Sequence, residues 1–208
     1  QNKIISSNIK KKNIHRLINL IKKYDLNEKN QDNIKNFLLK LAKKKNKNFI
    51  NIKILIVSNL SFKIFEKILI EKLLLSRIGA EIFFSDYNET LKMEKKLGKF
   101  DYIFIYPNKT DFNEIFKFSN NLNYNLRDLK TIKNFYEMLF KKVKHFSTSK
   151  VFLSNILPYV NSEFGNYTRL ADNNKFEMID NLNLFILEKA KNYKFYFFDN
   201  CFLSSKFG

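Results

Sequence analysis

The 208-residue chain reads as an α/β protein, a three-layer α/β/α sandwich around a five-stranded parallel sheet in the order 2-1-3-4-5, with an amino-terminal helical arm. Three observations predict it. Five short apolar runs alternate with helix-forming segments, a rhythm that requires right-handed crossovers and a sheet covered on both faces. The first run, Lys53-Ile-Leu-Ile-Val-Ser-Asn-Leu-Ser61, is rich in β-branched residues and stops at small polar ones before a helix-forming segment, as a buried parallel strand does. Basic charge is concentrated in residues 1–50, which carry a net +11 against +7 for the remainder, and this sets an arm apart from a body.

Residues 9–24 place Ile14, Leu17, Ile18 and Ile21 at helical spacing, and residues 31–44 repeat the pattern with Ile34, Leu38 and Leu41. Lys43, Lys44, Lys45 and Lys47, interleaved with Asn, form a polar connector, so residues 1–48 are a basic arm and linker and residues 49–208 the α/β domain. Such an arm suits packing on a neighbouring domain or partner, or lying on an anionic membrane. Strand one is expected over Ile52–Val57, followed by a helix over Phe62–Ile78 ending near Gly79, and strand two over Ala80–Phe84. A short helix over Glu89–Leu97 ends near Gly98, and strand three spans Asp101–Tyr106. A long helix over Arg127–Phe146, strand four over Lys150–Asn155, a helix over Asn174–Asn192 and strand five over Lys194–Asp199 complete the pattern. In the order 2-1-3-4-5 the switch point lies between strands one and three, so the tips Ser58–Ser61 and Tyr106–Asp111 face each other across a crevice, where open α/β sheets bind ligands.

A domain of this size buries enough apolar area to fold without disulfides or metals. The single cysteine, Cys201, excludes an intrachain disulfide and a multi-Cys zinc site, which points to a reducing compartment, and a cytoplasmic location is expected. No signal peptide opens the chain, and charged residues break every apolar segment within about 18 residues, so no transmembrane segment is expected. A first residue that is not Met is what a processed form or a cut fragment would show. The total charge of +18 invites a nucleic-acid reading. Only four of the 38 basic residues are Arg (Arg16, Arg77, Arg127 and Arg169), whereas base readers favour the bidentate Arg fork. The excess of Lys and Asn reads as the compositional bias of an AT-rich genome, and non-specific nucleic-acid contact is expected through the arm alone.

In order and spacing, the strand-one block, Ala80-Glu-Ile-Phe-Phe-Ser-Asp-Tyr-Asn88, Phe100-Asp-Tyr-Ile-Phe-Ile-Tyr106, Val151-Phe-Leu-Ser-Asn-Ile-Leu-Pro158 and Phe195-Tyr-Phe-Phe-Asp-Asn200 resemble the SGNH (GDSL-type) hydrolase fold. More narrowly, residues 50–208 resemble the amino-terminal domain of FkbH-like (HAD-IIIC) proteins, which in that family precedes a haloacid-dehalogenase-like phosphatase domain. SGNH enzymes carry Gly-Asp-Ser after strand one, where the serine attacks an acyl carbon and backbone N–H groups, a Gly and an Asn hold the oxyanion. Aligned on the strand, Ser58 and Asn59 take the Gly and Asp positions and Leu60 takes that of the nucleophile. Leucine cannot attack, and Ser61, the candidate catalytic residue, stands one position late. The family supplies its histidine from an Asp-x-x-His segment after the last strand. Here no histidine follows Asp199, while His15 belongs to the arm and His145 to the end of the long helix.

The resemblance also marks Asn108, where the SGNH pattern has Gly-x-Asn-Asp, and a turn asparagine is the plainer reading. Asn155 after strand four, with Pro158 and Gly165-Asn166 beyond it, suggests a long loop over the site. Asp86, Tyr87, Asn88 and Asp199 complete the rim, Asp199 serving alternatively as the cap of a short helix over residues 200–206. The binding set is thus Ser58, Asn59, Tyr87, Asn88, Asn108, Asn155 and Asp199. Tyr193, Phe195, Tyr196, Phe197 and Phe198 read as a buried strand rather than a base-stacking platform. The isolated glycines, two lone histidines and absence of an Asp-x-Asp-x-Thr signature give no phosphate loop, metal motif or phosphatase site, and no cofactor is expected.

The resemblance implies a catalytically degenerate domain acting in polyketide or surface-polysaccharide assembly. Its expected partners are an acyl carrier protein or an activated acyl or glyceryl substrate, and a phosphatase-like domain downstream. A working esterase or acyltransferase using Ser61 is the alternative, and a basic RNA-binding or ribosome-associated protein the second.

Overall fold

The computed structural model describes residues 8–9, 14–23, 28–43, 48–60, 62–93, 99–108, 111, 126–145, 149–157 and 175–207. The sheet has five strands in the order β2-β1-β3-β4-β5, the topology expected from the sequence. Two compact units share the chain: Gln1–Ile52 with Phe62–Glu81, and Lys53–Ser61 with Ile82–Gly208.

The first unit contains α1 (Ile14–Lys23), α2 (Glu28–Lys43) and α3 (Lys63–Leu75). The apolar stripes foreseen for the arm meet here. Leu17, Ile34 and Leu38 are fully buried in one cluster with Ile14, Ile18, Leu41, Phe49 and Leu74, each such side chain contributing about 1.5–3 kcal/mol relative to exposure. Lys35 on α2 pairs with Glu71 on α3 at 2.9 Å. Helix α3 stops at Leu75, short of the glycine expected to end it. The N–H groups of Ser76 and Arg77 close on the carbonyls of Leu73 and Leu74, Arg77 turns left-handed at φ 61°, and its carbonyl accepts the Ile50 N–H at 2.9 Å. Gly79 instead lies inside β2 (Ile78–Ser85). A Cβ there would stand 2.8 Å from Asn51 Oδ1 and 3.0 Å from Ala42 Cβ, so close approach, not helix capping, requires this glycine.

In the second unit, parallel pairing aligns β1 (Ile50–Val57) with β3 (Tyr102–Ile105), Ile54 opposite Tyr102 and Val57 opposite Ile105. β3 pairs in parallel with β4 (Lys150–Ser154), and β4 with β5 (Tyr196–Phe198). Leu55, Val57, Ile103, Ile105, Val151 and Leu153 alternate toward one face. There they form a core with α4 (Tyr87–Lys92), α5 (Leu126–Lys144) and α6 (Lys175–Tyr193). α4 starts two residues earlier than expected because Asp86 caps it. The Asp86 carboxylate accepts the Glu89 N–H at 2.7 Å while Glu89 reaches back to the Asp86 N–H, a capping box.

Strand β5 is shorter than expected, and only half of its aromatic run is core. α6 closes in a Schellman turn, with Lys194 at φ 57° in the position glycine usually takes and the Phe195 N–H bonded to the Ala190 carbonyl at 2.8 Å. Phe195 and Phe197 pack on the core, while Tyr196 is 52% and Phe198 43% exposed. This corrects the buried-strand expectation, since β5 is an edge strand. Tyr196 stacks on Phe152, which stacks on Phe104, with ring centroids 5.0 and 4.8 Å apart.

Candidate functional site

The chain leaves β1 at Val57 and β3 at Ile105, neighbours across the switch point, so the tips beyond them share one edge of the sheet. The Tyr106 N–H bonds the Val57 carbonyl at 3.0 Å, and the Ser58 N–H bonds the Ser85 carbonyl at 3.0 Å. These bonds carry the strand ladder one residue past its formal end.

Ser58 is buried and its hydroxyl is committed. It donates to the Tyr106 carbonyl at 3.2 Å and accepts the Leu60 N–H at 3.2 Å. Among the described residues no histidine bonds it. Held this way, the hydroxyl fastens the tip of β1 to the tip of β3. Asn59 spans to the neighbouring tip, its Oδ1 accepting the Tyr87 N–H at 3.3 Å at the start of α4. Leu60 is 37% exposed. Ser61 lies outside the described residues.

Beneath these residues is a network that reading the sequence missed. Asp111, fully buried, accepts three hydrogen bonds on one carboxylate oxygen: from the Tyr87 hydroxyl at 2.8 Å, the Tyr136 hydroxyl at 3.1 Å and the Asn108 N–H at 2.8 Å. The Tyr87 hydroxyl also lies 2.8 Å from the Tyr106 carbonyl. Burial first, then the nearby Tyr136 and Asp111, push the Tyr87 hydroxyl well above its ordinary value. Burial and Asp111 do the same for Tyr136. Both phenols stay protonated and act as donors that hold the Asp111 carboxylate, which burial without such partners would penalise. Ser58, Asn59, Tyr87 and Asn108 are thus drawn together around the Tyr106 carbonyl and Asp111. Asn88 is exposed on the first turn of α4.

Asn155 and Asp199 form a second, separate cluster at the ends of β4 and β5. The Asn155 amide donates to Asp199 Oδ1 at 2.8 Å, and its Oδ1 accepts the Asn200 N–H at 2.7 Å. Asp199 accepts the Phe202 N–H at 2.9 Å. That bond, followed by the one from Asn155, holds the Asp199 carboxyl below its usual range. The pair caps α7 (Asn200–Phe207), the alternative foreseen for Asp199, and in this cluster Asn155 turns to the helix start.

The two histidines lie elsewhere. His15 on α1 accepts a hydrogen bond from Arg77 at Nδ1, 2.8 Å away, and its Nε2 is 3.2 Å from the Asn19 amide. His145 is exposed in the turn after α5. No three His, Cys, Asp or Glu side chains gather as a metal site among the described residues.

No known family profile and no curated protein matches the chain. Among solved structures it is similar to the N-terminal part of the protein BF1531 from Bacteroides fragilis, crystallised with its phosphatase domain and Mg. The TM-score is 0.62 at 15% identity, over 82% of this chain and 46% of that one. The chain therefore spans less than half of that structure, and the likeness is one of fold. A novel cobalamin-binding protein from Desulfitobacterium hafniense aligns at 12% identity over 92% of this chain and 90% of that one, with a TM-score of 0.33, too low for a shared fold to be argued.

Proposed function

We propose that the chain is the SGNH-like domain of an FkbH-like protein, catalytically degenerate, which presents an acyl or glyceryl group, or the carrier protein bearing it, to a phosphatase-like partner domain in polyketide or surface-polysaccharide assembly. The observation that carries this reading is the state of Ser58. The residue at the head of the former catalytic turn is buried, its hydroxyl is bonded to the Tyr106 carbonyl and the Leu60 N–H, and leucine occupies the nucleophile's position. What remains at the strand tips can bind but has lost the means to attack. Asn59 and Asn108, fixed by Tyr87 and Asp111, are the groups that would hold the carbonyl or hydroxyl of the presented group. The fold shared with a structure that contains a phosphatase domain supports the choice of partner domain.

Binding of an acyl-loaded carrier protein against its unloaded form tests the proposal. Asn59→Ala with Asn108→Ala should weaken binding of the loaded form by about tenfold, the loss of roughly one good hydrogen bond, and leave the unloaded form unchanged. Equal binding of the loaded form by the double variant and the unaltered chain would refute the site.

A further inference from the structure

On the layer formed by α5 and α6, away from the strand tips, Leu129, Lys130, Lys133, Asn134, Glu137, Phe185 and Lys189 line an open cleft of about 540 Å³. Two ammonium groups share its one aromatic ring, with Lys189 Nζ 5.3 Å and Lys133 Nζ 5.8 Å from the centre of Phe185. Glu137, the one acid among the described residues lining the cleft, is neutralised several times over. Glu137 meets Lys189 at 2.6 Å and Lys141 at 3.6 Å and accepts the Tyr193 hydroxyl. Partial burial raises its carboxyl, but these bonds outweigh burial and hold it below its usual range. Lys130 and Lys133 have no ion pair among the described residues. Lys130, Lys133, Lys141 and Lys144 recur along α5 at helical spacing and span about 21 Å at 1.5 Å per residue.

We propose that this cleft is a docking site for an acidic helix of a partner protein. The stripe of lysines is far longer than a single phosphate, and it has the length and period of a helix carrying carboxylates every three or four residues. The ring of Phe185 holds Lys133 and Lys189 in place, so part of the ordering cost of a charged interface is met before the partner arrives. Nucleic acid fits the same charge less well. The lysines over Phe185 occupy the ring that a base would need, and no arginine is among the described residues that line the cleft. This inference is independent of the role proposed for the strand tips and is tested by a different measurement.

The full chain, labelled for amide NMR, is titrated with a synthetic helical peptide bearing Glu at positions i, i+3, i+7 and i+11, and separately with a short single-stranded RNA. The peptide should shift the amides of Lys130, Lys133, Phe185 and Lys189. Lys130→Ser with Lys133→Ser should weaken it by at least about tenfold, while Lys130→Arg with Lys133→Arg should retain most of the affinity. Both lysines are at least partly exposed and neither has an ion pair among the described residues, so the serine variant should stay folded, its melting temperature lowered only by the loss of the Lys133–Phe185 contact. The proposal is overturned if the peptide leaves the cleft amides unmoved at low salt, if the serine variant binds it as well as the original, or if RNA shifts the cleft amides and competes the peptide away.

Discussion

The Tyr87 hydroxyl lies 2.8 Å from both the Asp111 carboxylate and the Tyr106 carbonyl, and so ties the first turn of α4 to the chain leaving β3. Tyr87→Phe keeps the ring and its packing against Phe135 and Tyr136 but removes the one hydroxyl proton that the Asp111 carboxylate and the Tyr106 carbonyl share. A loss of about 1–3 kcal/mol is expected by urea denaturation. Loss of less than about 0.5 kcal/mol would show that the network is not structural.

The same network predicts a pH dependence. Tyr87 and Tyr136 titrate well above their ordinary value when folded, and burial followed by Glu137 pushes Tyr193 up to about 12. Below an unfolded tyrosine value of about 10 the stability these groups contribute is fully present. Above it the unfolded chain releases protons that the folded chain retains, so stability falls as pH rises. Each tyrosine adds at most about 1.4 kcal/mol per pH unit to that fall. Tyr136→Phe should therefore give a shallower loss of stability above pH ~10 than the original chain. An identical slope would show that Tyr136 titrates normally.

How much of this was legible is clearest at Asp111. The strand order and the facing tips follow from local signals, because apolar runs of strand length ending in small polar residues are set by the residues themselves. Asp111 takes its hydroxyl donors from Tyr87 and Tyr136, 24 and 25 positions away, and nothing in its neighbourhood announces them. Tyr136 falls on the apolar stripe of α5 with Ile132, Leu139 and Phe140, where it reads as core. Asp86 with Glu89 is a capping signal that was available in the sequence and would have placed the start of α4 correctly. The left-handed turns at Arg77 and Lys194 had no such signal, because tertiary closure imposes them on residues that do not favour them.

Lys194 offers a direct test of that imposed strain. At φ 57° a side chain costs about 1 kcal/mol that glycine does not bear, so Lys194→Gly should stabilise the chain by roughly that amount, seen as a higher urea midpoint. A lower midpoint would mean that the lysine makes a compensating contact.

Gly79 predicts the opposite sign. Gly79→Ala would set a methyl against Asn51 Oδ1 and Ala42 Cβ. Asn51 can rotate away but the helix carrying Ala42 cannot, and the expected cost is about 1–3 kcal/mol. Unchanged stability in thermal melts would show that α2 shifts freely.

Under the proposed function, the turn after β1 occupies the place of the SGNH catalytic turn without its chemistry. Intact-mass analysis after treatment with a serine-directed fluorophosphonate, alongside hydrolysis of short p-nitrophenyl esters, tests it most directly. The unmodified mass and hydrolysis at the buffer rate are predicted, because the proposed function sets Leu60 in the nucleophile's position and the Ser58 hydroxyl is bonded on both sides. An adduct on Ser61 that disappears in Ser61→Ala, accompanied by ester hydrolysis that the same substitution abolishes, would contradict it.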